Sequence, residues 1–335
     1  MSADSLAASF TKFRYRLAEF PEAIALISFL IVALIFSFSA EHFLTPVAIS
    51  NVLYFSSIQG LIVIGVAMLM IAGEFDLSVG ATFAVVSYFW AITMNAGLAP
   101  LPAMLLALAV GGVLGLINGL IVIRTGIPSF IATLGTMLAY RGIARAIGGG
   151  LLAKYTESTP LLFGVLNAPL TRLNELFQPV ANFRLSILWF VVAAVIMSFL
   201  LRRTRFGNWI FAAGGNPGAA LAQGVPVKRV KLLAFTLTGL LTAVASVMQF
   251  AHRTSVDPLR GEGWELIAVA ASVIGGVSLN GGVGSIFGPI VGILLLQMLE
   301  QGLVLMGVSV QVFRAVAGAI LMLSVILNTY LSRSD

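Results

Sequence analysis

Long apolar runs separated by short polar breaks cover most of the chain, and within the runs there is no alternation. The stretch Leu61-Ile62-Val63-Ile64-Gly65-Val66-Ala67-Met68-Leu69-Met70 is typical. Strands of a membrane barrel would alternate apolar and polar residues in segments of about ten. Unbroken runs of about 20 residues are instead the length of a helix that crosses hydrocarbon. The pattern predicts spans at about 22–40, 51–72, 78–96, 101–123, 127–147, 185–201, 231–250, 264–280, 283–305 and 311–329. Backbone in lipid must satisfy its own hydrogen bonds, so each span is expected to be helical. The expected fold is all-α, a polytopic membrane protein with about ten transmembrane helices.

Composition agrees. Of 335 residues, 59% are hydrophobic and 10% charged, and mean hydropathy is +1.04. Soluble domains carry roughly 25% charged residues. These values exclude disordered, coiled-coil, collagen-like and nucleic-acid-binding classes. The net charge of +6 fits basic loops held against anionic membrane lipid. There is no cysteine, hence no disulfide, thiolate metal site or cysteine nucleophile, and His42 and His252 are far apart in the chain. No metal or cofactor is expected. The first apolar run is too long for a signal-peptide core and reads as an uncleaved anchor.

Charge also orients the expected bundle. One side collects Lys12, Arg14, Arg16, Arg124, Arg202, Arg203, Arg205, Lys228, Arg229, Lys231 and Arg333, eleven in all, against Lys154, Arg172, Arg184, Arg253 and Arg260, five, on the other. The richer side is cytoplasmic by the positive-inside rule, which puts both termini there. The expected organisation is a cytoplasmic segment 1–21, a single transmembrane domain 22–329 and a cytoplasmic tail 330–335. Two connections are long: an external one over 148–184, with Pro160, Pro169 and Pro179, and a cytoplasmic one over 202–230.

The cytoplasmic connection encodes a short helix. Asn216 is a good N-cap, Pro217 suits the first helical position, and Ala219, Ala220 and Gln223 are helix formers. Gly224 suits the left-handed residue past a helix end, and Pro226 blocks continuation. A small uncharged helix between two basic flanks lacks the large apolar face of a membrane-surface helix. It suits insertion into a groove of another protein, with Gly214 and Gly215 as its approach.

Four blocks, in order along the chain, carry a resemblance. They are Ala72-Gly73-Glu74-Phe75-Asp76-Leu77-Ser78-Val79-Gly80; Pro128-Ser129-Phe130-Ile131-Ala132-Thr133-Leu134-Gly135-Thr136 with Tyr140-Arg141-Gly142; Gly214 to Lys231; and Ile274-Gly275-Gly276-Val277-Ser278-Leu279 through Gly281-Gly282-Val283-Gly284-Ser285. Together they resemble the ABC-importer permeases of the ribose, xylose and autoinducer-2 type. Glu74 stands where the commonest pattern of that family has Gly, and Ala222-Gln223 where an Arg-Leu type pair is common. The resemblance implies a bacterial inner-membrane subunit that works as a homodimer. Its partners would be an ATPase with two cassettes and a periplasmic sugar-binding protein, and the solute a sugar or sugar-like polyol. It implies no hydrolysis by the chain itself, and no Gly-x-x-x-x-Gly-Lys-Ser/Thr phosphate loop occurs. Gly214, Gly215, Asn216, Pro217, Ala219, Ala220, Gln223 and Gly224 would form the ATPase coupling element.

Several polar residues stand in or beside spans. Glu74 and Asp76 interrupt apolar sequence between Gly73 and Gly80, which allows a broken helix facing a cavity. They fit equally a plain turn in which Asp76 or Ser78 caps the next span. Ser129, Thr133 and Thr136 share a helix face, suited either to a polar path or to helix packing. Asn118 between Gly115 and Gly119 suits close packing or solute contact. With Phe75 and Phe130 from the resembling blocks, these residues form the candidate substrate path. Arg141 and Arg145 are expected near the external end, snorkelling or paired with acids. The glycines of 275–284 suit a tight turn between spans. Arg253, Asp257, Arg260 and Glu262, with Glu265 nearby, form a mixed-charge external patch that is either a binding-protein dock or a solvated loop. The competing function is a secondary transporter that uses Glu74 and Asp76 as its ion site. A scaffold or membrane enzyme is a weaker alternative, since no catalytic constellation is visible.

Overall fold

The computed structural model describes residues 21–177 and 179–309 together with 311–313, 315–319 and 322. The apolar runs fold as helices: α1 (Pro21–Ser39), α2 (Pro46–Ile71), α3 (Val79–Asn95), α4 (Pro100–Thr125) and α5 (Ser129–Ile147). Then come β1 (Ala153–Lys154), α6 (Leu161–Asn167), α7 (Thr171–Asn174), α8 (Leu185–Arg203), α9 (Arg205–Gly215), α10 (Pro217–Ala222) and α11 (Val227–Arg253). They are followed by β2 (Ser255–Val256), α12 (Trp264–Ile274) and α13 (Phe287–Leu305). Local signals set the ends. Thr45 caps α2, its hydroxyl accepting from the Ala48 N–H, with Pro46 in the first turn. α4 stops at left-handed Gly126.

Six described helices are long and apolar enough to cross a membrane: α1, from Glu22, and α2, α4, α8, α11 and α13. α5 has the length, but Arg141 and Arg145 lower its hydropathy. The spans expected at 78–96 and 264–280 correspond to helices of 17 and 11 residues. The expected span 311–329 lies largely outside the described residues, as do the segments 1–20 and 330–335 with their basic residues. The all-α expectation is modified by one small pair of strands, Ala153 opposite Val256 and Lys154 opposite Ser255.

α2 is the axis of the core, with every residue from Ser56 to Ile71 buried. α1 and α8 lie outside it and expose Leu30, Leu34, Phe38, Val195 and Phe199, as lipid-facing helices do. α4 and α11 cross closely because Gly111, Gly115 and Gly239 meet there; a Cβ on Gly239 would stand 3.0 Å from the Gly115 Cα. α11, 27 residues and about 40 Å long, joins the two ends of the bundle. One end carries α9, α10 and seven of the fourteen described arginines and lysines, against three acids, Glu22, Glu74 and Asp76. The other carries the β1–β2 pair.

The two short helices have a common explanation. α3 begins inside the bundle, because residues 72–78 turn back into it after α2. α12 also begins inside, because the chain re-enters after β2 and lays Gly261 against Gly80, where a Cβ would overlap the Gly261 carbonyl oxygen. α12 ends at Gly275, which packs on Gly288, and Gly276 takes a positive φ of 85°. Irregular backbone at membrane depth is tolerated where protein surrounds it, as it does here.

Candidate functional site

The basic end is built from the short helix outward. Asn216 caps α10, its Oδ1 accepting from the Ala219 N–H at 3.0 Å. Of α10, only Ala220 is buried; Pro217, Gly218, Ala219, Leu221 and Ala222 face out, as do Gln223 and left-handed Gly224 beyond it. α9 leads into it. The sequence pattern leaves this helix as loop, although Thr204 caps it by accepting from the Gly207 N–H at 3.2 Å, and Phe206, Ile210 and Ala213 recur at helical spacing. That cap and spacing are the signal that could have found it.

Where α9 ends, three glycine segments touch backbone to backbone. Gly73 lies on Gly214, with a would-be Cβ 3.3 Å from the Gly214 Cα. A Cβ on Gly281 would stand 2.8 Å from the Gly73 Cα, and one on Gly214 would stand 2.8 Å from the Gly282 nitrogen and overlap the Ile71 carbonyl oxygen. The Gly282 N–H donates to that carbonyl at 2.8 Å. Gly73, Gly281 and Gly282 all have positive φ, which excludes side chains at little steric cost only for glycine. Three of the four sequence blocks therefore meet in one joint.

The remaining block braces the loop 72–78. Ser129 Oγ accepts from the Phe75 N–H at 2.9 Å, and Thr133 Oγ1 from the Leu77 N–H at 3.0 Å. Both loop donors would otherwise be orphaned in a buried setting. Asp76 is buried. Its Oδ1 accepts from the Ser78 N–H at 2.8 Å and hydroxyl at 2.7 Å, and its Oδ2 from Asn118 Nδ2 at 3.1 Å. The same Nδ2 reaches Ser78 Oγ at 2.8 Å, and the Tyr140 hydroxyl donates to Asn118 Oδ1 at 3.0 Å. Ser78 stands at the start of α3, but its hydroxyl turns to Asp76 and caps no helix N–H. Thr136 bonds back to the Thr133 carbonyl, and Phe130 faces out. So Phe75, Asp76, Ser78, Asn118, Ser129 and Thr133 are brought together, while Thr136 and Phe130 stand apart.

Glu74 has a partner that sequence distance hides. Lys231 Nζ, at the start of α11, meets its Oε1 at 2.6 Å, with both side chains largely covered. The ion pair joins the loop to the helix that follows α10. Both residues line a groove of about 350 Å³ with Leu221, Gly126, Ile127 and Lys228.

At the opposite end, Arg260 pairs with Asp257 at 2.7 Å, and Arg141 donates to the carbonyls of Pro258 and Arg260 at 3.1 and 2.8 Å. Arg253 is exposed, and Glu262 lies further along the re-entering segment toward α12. Two of the four patch residues thus engage each other. No group of three or more potential metal ligands occurs among the described residues.

This sequence has relatives. Residues 48–325 match the family described as the permease component of the branched-chain amino acid transport system. The chain belongs to this permease family. It is 36% identical over 298 residues to the ribose import permease of Bacillus subtilis (strain 168), covering 89% of each chain. It is 32% identical over 306 residues to the ribose import permease of Escherichia coli (strain K12), covering 91% of this chain and 92% of that one. The xylose transport system permease of Haemophilus influenzae (strain ATCC 51907 / DSM 11121 / KW20 / Rd) is 31% identical over 357 residues, covering 91% and 95%. In this permease, the match spans the glycine joint, its braces and α10 alike.

Proposed function

We propose that this permease is the membrane subunit of an ATP-driven importer of a sugar or sugar-like polyol in a bacterial inner membrane. Two copies enclose the path. A double-cassette ATPase grips α10 of each at the cytoplasmic face, and a periplasmic binding protein delivers the solute at the β1–β2 end, with Arg253, Asp257, Arg260 and Glu262 as its dock. Both termini lie in the cytoplasm. The observation that carries the reading is α10 itself: a capped, uncharged, exposed helix whose stem enters a backbone-on-backbone joint with the loop 72–78. A displacement of α10 has no side-chain cushion there, so Gly214 passes it to Gly73 and Gly282, and Lys231 passes it to Glu74.

On this reading Glu74, Phe75, Asp76, Ser78, Asn118, Ser129 and Thr133 act as the inner hinge of an alternating-access cycle. Their hydrogen bonds are made to one another and to the loop backbone, which suits holding a turn better than gripping a solute. ATP shifts the cycle only through its different affinity for the two states. The chain does no hydrolysis and needs no cofactor.

The test is reconstitution of the permease with its ATPase and binding protein in proteoliposomes. Solute uptake is expected only with all partners and ATP, and Leu221→Asp on the exposed face of α10 is expected to abolish it while permease levels stay normal. Uptake by the permease alone on an ion gradient would overturn the reading in favour of a secondary transporter. Asp76→Asn is expected to lose uptake at normal membrane levels; unchanged uptake removes Asp76 from the hinge.

A further inference from the structure

Halfway along α2, in an apolar helix, stands Gln59, only 7% exposed. Its Oε1 accepts from Gln297 Nε2 of α13 at 3.3 Å, and the same Nε2 reaches Glu300 Oε2 at 3.3 Å. The amide N–H pair of Gln59 makes no hydrogen bond among the described residues. It does have space: Gln59, Glu262, Trp264, Glu300 and Phe313 line a cavity of about 200 Å³. Charged and amide side chains at membrane depth are costly and commonly mark a solute pathway. The sequence pattern, dominated by the loop carboxylates, singles out only Glu262 of this cluster, as part of the external patch.

The chemistry of the lining is specific. An amide donor, the Glu262 side chain and two aromatic residues line the same small volume. A polyol hydroxyl both donates and accepts, so it matches an amide donor and a carboxylate acceptor at once. An aromatic face offers apolar contact to the C–H face of a pyranose or furanose ring. The entrance is also marked. Glu262 belongs to the segment that re-enters from the β1–β2 end, and Arg141 fixes that segment through the Pro258 and Arg260 carbonyls. Trp264 opens α12, its ring 4.9 Å from that of Phe83 on α3.

We propose that this cavity is a carbohydrate-contact site within the membrane, with the Gln59 amide meeting a hydroxyl, Trp264 meeting the ring and Glu262 at the mouth. The assignment rests on the sugar-importer reading and adds to it the place where the solute touches the permease. It lies away from the glycine joint, so its loss separates from loss of coupling.

The natural chain has no cysteine, so Leu266→Cys, an exposed residue that also lines the cavity, provides a single thiol. In membrane vesicles holding the whole importer, it is treated with a membrane-impermeant cationic methanethiosulfonate. Labelling is expected, slowed at least fivefold by whichever of D-ribose, D-xylose, D-allose or D-galactose is transported and unaffected by those that are not. Absent labelling, or labelling indifferent to the transported sugar, overturns the site. In parallel, Gln59→Leu and Trp264→Leu are expected to cut uptake at least tenfold while ATP hydrolysis stimulated by the binding protein stays within twofold. Normal uptake in both variants also overturns the site and leaves the importer reading standing. If the unmodified importer carries none of the four sugars and no other sugar or sugar-like polyol protects the thiol, the sugar reading fails without any variant, and the site falls with it.

Discussion

The two ends of this permease are both made of segments that look like loops in the sequence, yet they are held by different balances of backbone and side-chain contact. At the basic end, Gly73, Gly214, Gly281 and Gly282 press backbone on backbone, and one ion pair joins Glu74 to Lys231. At the other end, side chains do the fastening. Asn167 Nδ2 reaches the Met248 carbonyl at 2.9 Å, Arg184 bonds Asn167, Asn182 bonds Asn51, and Tyr88 reaches the Leu151 carbonyl at 2.7 Å. A joint without side chains transmits a push and tolerates no added atom. A lacework of amide and guanidinium bonds holds a cap in place and can lose one thread.

That contrast is broken most severely at Gly214. A Cβ there overlaps the Ile71 carbonyl oxygen, and backbone cannot move aside as a flexible side chain can. Gly214→Val is expected to eliminate uptake and to reduce folded permease in the membrane several-fold, measured by immunoblot beside transport. A permease that accumulates and transports normally would show that the joint is loose.

The Glu74–Lys231 pair comes next. Removing one partner of a largely covered pair leaves the other charge stranded, at a cost of about 3–5 kcal/mol. Glu74→Gln or Lys231→Met alone is expected to lower uptake about tenfold or more. The reversal Glu74→Lys with Lys231→Glu is expected to recover part of it, read by transport and by ATP hydrolysis together. If the double reversal is no better than either single change, the pair is not the link.

How much of this was legible beforehand follows from the same contrast. The Asn216-Pro217 start and the Gly224 stop of α10 are local code, and the sequence pattern finds that helix within two residues. The glycine blocks are equally visible as punctuation, because positive φ and close backbone approach favour glycine. What the pattern lacks is who meets whom. Nothing local pairs Glu74 with a lysine 157 positions away, or tells that Ser129 and Thr133 serve the N–H groups of a distant loop. The end of the short α12 was marked but passed over: Gly275-Gly276 follows Ile274, Gly276 takes the positive φ of a helix stop, and Gly275 packs on Gly288. In the same way β1 and β2 exist only as each other's partners, and two residues of strand leave no period to read.

The smaller effects belong to the fastened end. Asn167→Leu removes the bond to Met248 and an acceptor of Arg184, both buried or partly so. Leaving such groups unpaired costs about 1–3 kcal/mol. The expected result is a lower melting temperature in detergent with coupling intact: ATP hydrolysis stimulated by the binding protein within about twofold of the natural permease. An equal fall in coupling and stability would mean that the two ends are one mechanical unit and that their contrast in construction has no functional counterpart.

Smallest is the cap of α10. Asn216→Ala removes one hydrogen bond, to the exposed Ala219 N–H, and such caps are worth about 1 kcal/mol. The rest of the helix keeps its shape through Pro217, its alanines and the turn at Gly224. Uptake is therefore expected to fall by about two- to fivefold, and Asn216→Asp, which keeps the accepting oxygen, to restore most of it. Transport rates of the two variants at equal membrane levels decide the point. If alanine is harmless, the ATPase shapes the helix when it binds, and the push begins at the glycine joint instead of at the cap. If alanine is as damaging as Gly214→Val, the cap is itself part of the grip, and the force enters through Asn216 before any backbone contact is made.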